Sequence, residues 1–401
     1  MPFRTRKQKP YLKYQKFIKV FFGIIVALGV GIIGIIVLIW FKPAFSANFA
    51  DNILRPTIGN QATIVVENFF FGLSDSVKQL EYHTIAKPSG NIYTVEKISK
   101  APNYATLGPE SWSLSTLESL DLTTVGLHQL TFPSLTGEGA WSLIDLPQFR
   151  SQPVMARTFV RPDPNRSYAI VALVQMNSRF LQLHAVAGTQ QPGGPIGHYG
   201  PGKIAESDQN SSQLVAAFNG GFQYKDGKYG MIVGQNTYVP LQENLATLSI
   251  YDNANPTISR YIPGSSASAD ILALRQNGPL IVDKGQVTQD TLTGGYSVWG
   301  LTTTSSSFTW RSGIGITSSG NLVYAVGPSL SAETLAVSLK AAGAIEAMQL
   351  DINSFWVRFV MYQPKSTGGY DYQSLLTAMQ NGGYNYLHGY NKDFFYLTMK
   401  N

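Results

Sequence analysis

Asn219, Gly220 and Gly221 end the apolar run "LVAAF" (214–218), and aromatic and charged residues follow at once. Adjacent glycines let a backbone turn sharply and approach a ligand closely, leaving amide N–H groups for an anion or a sugar hydroxyl. Asn219 can both donate and accept there. A plain Asn-Gly hairpin turn is the competing reading. Other chemical patterns fail on spacing. "GHYGPGKI" (197–204) has the glycines and lysine of a phosphate loop, yet Ile204 stands where magnesium needs a Ser or Thr. "GIGITSSG" (313–320) places its third glycine too late for a dinucleotide turn. His83, His128, His184, His198 and His388 are scattered without paired metal spacing, and no Gly-x-Ser-x-Gly elbow occurs. No metal motif and no cofactor is read, although oxygen ligands for calcium need no regular spacing.

The elements that position these residues are mostly strands. Apolar runs at 167–176, 179–188, 213–218, 246–252, 271–276, 279–285, 312–317 and 321–327 are separated by Gly, Asn or Pro turns. Ser318-Ser319-Gly320-Asn321 between the last two marks a hairpin. One helix interrupts the series: Ser331 is its N-cap, Glu333 suits the positive end of its dipole, Leu335, Ala336, Leu339 and Ala342 form its apolar face, and Gly343 ends it. A strand then runs into Asp351. This order predicts an α+β domain, a mostly antiparallel or mixed β-sheet with few helices.

Charge explains the rest of the organisation. Residues 1–19 carry Arg4, Arg6, Lys7, Lys9, Lys13, Lys16 and Lys19 and no acid; without those seven, 23 basic residues face 24 acidic ones. The main body is nearly neutral, so no nucleic-acid partner is expected. Val20 to Phe41 is 22 residues without a charge. At roughly 1.5 Å per residue a helix of that length spans about 33 Å, enough for a bilayer. The basic tail predicts a single-pass cell-membrane protein with a cytoplasmic N-terminus and an extracytoplasmic body. Cleavage near Ala44-Phe45-Ser46 is the competing reading, but the apolar stretch is long for a signal peptide. The absence of cysteine excludes disulfides and a thiolate nucleophile. The expected division is a tail (1–19), a membrane helix (20–41), a spacer or accessory module (42–135) and a main domain (136–401).

"AFNGGF", "RQNGPLIVDKGQ", "WRSGIGITSSGNLVYAVG" and "AGAIEAMQLDINSFWV" occur in the order seen in the phosphodiester glycosidase family, which the chain resembles over roughly residues 137–401. The family's animal member removes N-acetylglucosamine from a phosphodiester. The resemblance places the family's Asn-Gly-Gly-Phe turn on Asn219 to Phe222, its Arg-containing strand on Arg311 to Gly315, and its Leu-Asp-Gly-Gly-Gly-Ser turn on Leu350 to Phe355. There the chain departs from the pattern. Asp351 stays, but Ile352 and Asn353 stand where glycines permit close substrate approach, as in a bacterial membrane-anchored branch with an Asp-Ile-Asn sequence before a tryptophan.

The bond itself limits the chemistry required. Most glycosidases use two carboxylates because a sugar alkoxide must be protonated to leave. A phosphate monoester leaves more easily, with a second pKa of about 6. The resemblance thus implies Asp351 as nucleophile, base or oxocarbenium stabiliser and Arg311 as phosphate clamp. Asn219, Gly220 and Gly221 hold sugar hydroxyls or a phosphate oxygen, with Asn277 and Asn353 as further contacts. The alternatives are an Asx turn at Asp351, a surface pair at Arg311, and core packing rather than sugar stacking for Trp299, Trp310 and Trp356. The leading expectation is a hydrolase of a sugar-1-phosphodiester or of a related cell-envelope glycan or exopolysaccharide. The alternative is a non-catalytic glycan-binding or scaffold protein.

Overall fold

The computed structural model describes residues 45–46, 49–84, 90–94, 120, 134–264, 270–293 and 308–400. The tail 1–19, the segment 20–41 and Trp299 lie outside them. Among the described residues no helix is long and apolar enough to cross a membrane.

The chain divides into two compact units, residues 1–59 and 60–401. In the first, a short π-helix at Ala50–Leu54 leads into the helical run Arg55–Thr84, and Arg55 pairs with Asp51 at 3.0 Å. That run is interrupted at the boundary by Gly59, whose φ of 82° no helix contains. The rest of the run belongs to the second unit, a part of the chain read from sequence as a spacer. It is tied down there by Asp75, which accepts from Arg166 Nε (2.9 Å) and Tyr168 Oη (2.8 Å).

Seven strands of the second unit frame the site: β1 (Leu214–Asn219), β2 (Ile271–Gln276), β3 (Thr309–Thr317), β4 (Leu322–Leu330), β5 (Ala344–Ile352), β6 (Phe359–Pro364) and β7 (Phe394–Met399). An eight-stranded sheet runs Ser142–Leu143, Met155–Val160, Val171–Met176, β4, β3, β5, Leu280–Asp283, Gln286–Val287. A five-stranded sheet runs Tyr370–Ser374, β6, β1, β7, Leu181–Val186. Another centres on β2, with Met231–Val233 and Ala246–Tyr251 beside it. Neighbouring strands are antiparallel in all three sheets, for example β3 with β4 and β5, and β1 with β6 and β7. The expected α+β class holds.

Alternation along the strands builds the layers. In β4, Leu322, Tyr324 and Val326 enter the central core, while Val323 and Ala325 face a second core with Leu335, Ala336 and Leu339 of the helix Ala332–Ala341. In β7, Phe395 and Leu397 enter the central core, while Phe394 and Tyr396 pack with Tyr386 and Tyr390. The predicted helix has its Ser331 cap. Ser331 Oγ accepts from Thr334 N at 3.1 Å, and Thr334 Oγ1 accepts from Ser331 N at 2.9 Å, a reciprocal box worth about 1 kcal/mol. The central core holds the large sheet against the β1 sheet and brings the ends of β1, β3 and β5 together.

Candidate active site

The end of β1 meets the end of β5 through one serine. Asn219 Nδ2 donates to Ser312 Oγ at 2.9 Å, and Ser312 Oγ donates to the Asp351 carbonyl at 3.0 Å. Asn219 Nδ2 also donates to Gly220 O, while its Oδ1 accepts from Tyr324 Oη (2.8 Å) and Arg358 N (3.1 Å). Those four bonds use the full capacity of an amide side chain. Asn219 therefore braces the site, where the sequence reading had it bind a sugar hydroxyl or a phosphate oxygen.

The glycines after it have a different purpose from the one expected. The sequence reading left the Gly220 and Gly221 amides open to a ligand. In the structure they donate to Asp393, Gly220 N to its carbonyl and Gly221 N to its Oδ2, both at 3.1 Å. Neither glycine has a positive φ. What both positions demand is the absence of a side chain: a Cβ on Gly220 would stand 2.0 Å from Asp393 Oδ2, and one on Gly221 would stand 2.8 Å from Asn277 Oδ1. The anion at this turn is the protein's own carboxylate. Asp393 is held in turn by Arg275, whose Nε donates to Oδ2 at 2.8 Å and Nη2 to Oδ1 at 3.2 Å, with both residues 1% exposed.

Asn277 is also a brace. Its Oδ1 accepts from Phe222 N at 2.9 Å, and its Nδ2 donates to the Gln349 and Leu350 carbonyls at 2.7 and 2.9 Å. It thereby ties the glycine turn to β5 just before Asp351. Arg311 is fully buried; Nε donates to Leu330 O and Nη1 to Gln349 Oε1, both at 2.7 Å. Burial pulls its guanidinium down to about 9.

Asp351 is the chemically distinctive member of the group. Its carboxylate is buried at the end of β5, Oδ1 accepts from Ile352 N at 2.9 Å, and Oδ2 accepts from Lys392 Nζ. Burial pushes its pKa from the ordinary 3.8 up to about 6; Lys392 opposes that rise and the nearby charge of Asp226 adds to it. Lys392 is itself buried, with Nζ 4.5 Å from the centre of the Trp356 ring. A carboxylate poised near neutrality, still held mostly ionised by an ammonium, suits attack on or stabilisation of a developing cation.

The loop after Asp351 keeps one glycine-like conformation without glycine. Asn353 has φ 77°, a left-handed value that Asn tolerates better than other side chains. Its Oδ1 accepts from Phe355 N at 3.0 Å, so the Asx turn falls on Asn353 and not on Asp351. Trp310 packs against the central core, whereas half-buried Trp356 covers Lys392. The sequence reading missed Lys392, Asp393, Arg275, Ser312 and Asp226. The available signal was the charged pair Lys392-Asp393 directly before the apolar run "FFYL". Among the described residues no group of three or more His, Asp or Glu side chains is arranged to hold a metal ion.

Residues 212–351 match the family described as phosphodiester glycosidase. No curated protein matches the chain. Among solved structures, the catalytic domain of zebrafish N-acetylglucosamine-1-phosphodiester alpha-N-acetylglucosaminidase, auto-inhibited by its pro-peptide, is similar at 12% identity. The alignment covers 77% of this chain and 96% of that one, with a TM-score of 0.36. A hypothetical protein from Synechocystis is similar at 13% identity over 62% of each chain, with a TM-score of 0.30.

Proposed function

We propose that this chain, whose residues 212–351 match the phosphodiester glycosidase family, is a hydrolase that cleaves a sugar-1-phosphodiester, or a related bond of a cell-envelope glycan, with Asp351 as its central carboxylate. The observation that carries this reading is the buried Asp351–Lys392 pair where β5 meets the glycine turn. Water adds across the bond between the anomeric carbon and the phosphate oxygen: the sugar takes the hydroxyl, and the phosphate leaves as a monoester. Such a leaving group needs little protonation, so one ionised carboxylate beside the anomeric centre is enough. Lys392 keeps Asp351 ionised near neutral pH, and Asn219, Ser312 and Asn277 hold its backbone in place. In this reading Val20 to Phe41 anchor the chain in the cell membrane, and the domain faces the envelope on the outer side.

The full chain is incubated with an N-acetylglucosamine-1-phosphodiester and, separately, with phosphate-free envelope glycans, and released sugar is measured. Turnover of the phosphodiester alone is expected. Glycan binding without release from any substrate would instead support a non-catalytic binding protein. External protease on intact cells tests the placement, and the expected result is loss of the domain with protection of the N-terminal tail.

A further inference from the structure

Arg358 begins the strand run "RFVMY" and is 5% exposed. Two other buried arginines of the domain have carboxylates, Arg275 with Asp393 and Arg161 with Glu138, and fully buried Arg311 has both a carbonyl and an amide oxygen at 2.7 Å. Arg358 has no carboxylate within ion-pair distance among the described residues. Its Nε makes a long bond to Phe355 O (3.3 Å), and its buried Nη1 has no partner. The guanidinium lies 4.9 Å from the Tyr390 ring centre and 5.5 Å from that of Phe355. Tyr390 and Tyr386, their rings 5.2 Å apart, each carry a buried hydroxyl that also lacks a partner. Beside Nη1, Gly382 supplies no side chain; a Cβ there would stand 2.7 Å from that nitrogen.

A buried cation without a counter-ion is destabilising unless something completes it. Most buried polar groups find partners, as the saturated Asn219 nearby shows, and here a cationic nitrogen and two neighbouring hydroxyls lack them together. Water would satisfy the two hydroxyls and leave the charge. An oxyanion accepts from the guanidinium and from both hydroxyls, and phosphate matches the arginine fork. The cluster also adjoins the candidate catalytic group. Arg358 N donates to Asn219 Oδ1, and the Phe355, Trp356 and Lys392 side chains form a continuous path to Asp351, with the Phe355 and Trp356 rings 4.5 Å apart.

We propose that Arg358, with the hydroxyls of Tyr386 and Tyr390, is the phosphoryl-binding subsite, holding the phosphate of the substrate while Asp351 acts at the anomeric carbon. Its place in the reaction rests on the phosphodiester reading; its affinity for phosphate does not. Arg311, committed to Leu330 O and Gln349, is thereby released from the clamp role.

Inorganic phosphate is titrated calorimetrically into the full chain and into its Arg358→Gln, Tyr390→Phe, Arg311→Gln and Asp351→Asn variants, and each is melted with and without phosphate. The expected result is binding by the parent and by Asp351→Asn, at least tenfold weaker binding by Arg358→Gln, and a several-fold loss in Tyr390→Phe. Arg358→Gln removes an unpaired buried charge, so it keeps the fold. No phosphate binding by the parent, or a loss confined to Arg311→Gln, would overturn the assignment. Phosphate binding that needs Arg358 in a chain that hydrolyses nothing would keep the subsite and overturn the catalytic reading instead.

Discussion

Replacing Asp351 with Asn changes how stability depends on pH. The carboxyl titrates at about 6 in the fold and at the ordinary 3.8 when unfolded. Between those values the folded chain retains a proton that the unfolded chain has released, so stability falls as pH rises through the window. The full displacement corresponds to about 3 kcal/mol, of which about 2 kcal/mol falls between pH 4.5 and 7.5. Asparagine cannot ionise, so the variant lacks this contribution at every pH. Urea unfolding of parent and Asp351→Asn at pH 4.5 and 7.5 measures the difference of differences, in which other titrating groups cancel. The parent loses about 2 kcal/mol more than the variant on going to pH 7.5. Equal pH dependence in the two chains would refute the reasoning that burial, opposed by Lys392, sets this carboxylate.

Lys392→Met removes the opposing cation, and the acid limb of kcat/KM moves up by about 1–3 pH units in a pH–rate profile. Gly220→Ala puts a Cβ on Asp393, and denaturant unfolding shows a loss of at least about 1–3 kcal/mol. Asp393→Asn strands buried Arg275 and costs about 3–5 kcal/mol by thermal melting, while Arg275→Met with Asp393→Leu recovers much of that loss.

Much of the fold was legible because strand alternation and caps are local. Leu322 to Val326 advertise two buried faces by their period, and Ser331 to Gly343 carry both ends of the helix. The long run Arg55–Thr84 was harder to read, because Val65 and Phe69 stay largely exposed while Ile64 is buried beside them, which blurs any simple apolar stripe. The site was legible only where motifs mark it, at Asp351 and the glycine turn. Its partners come from sheet order, which spacing does not encode: adjacent Lys392 and Asp393 reach Asp351 and Arg275, 41 and 118 residues away. The glycines were read as the mark of a close approach by a bound anion or sugar hydroxyl. Nothing in their local sequence said that the anion was Asp393, supplied by the residue just before β7.

The most direct test of the central claim is hydrolysis of an N-acetylglucosamine-1-phosphodiester by the full chain beside Asp351→Asn, with the variant's fold verified by its unfolding transition. The account predicts sugar and phosphate monoester from the parent and a loss on the order of a thousandfold in the folded variant. Equal turnover by the two chains would contradict it.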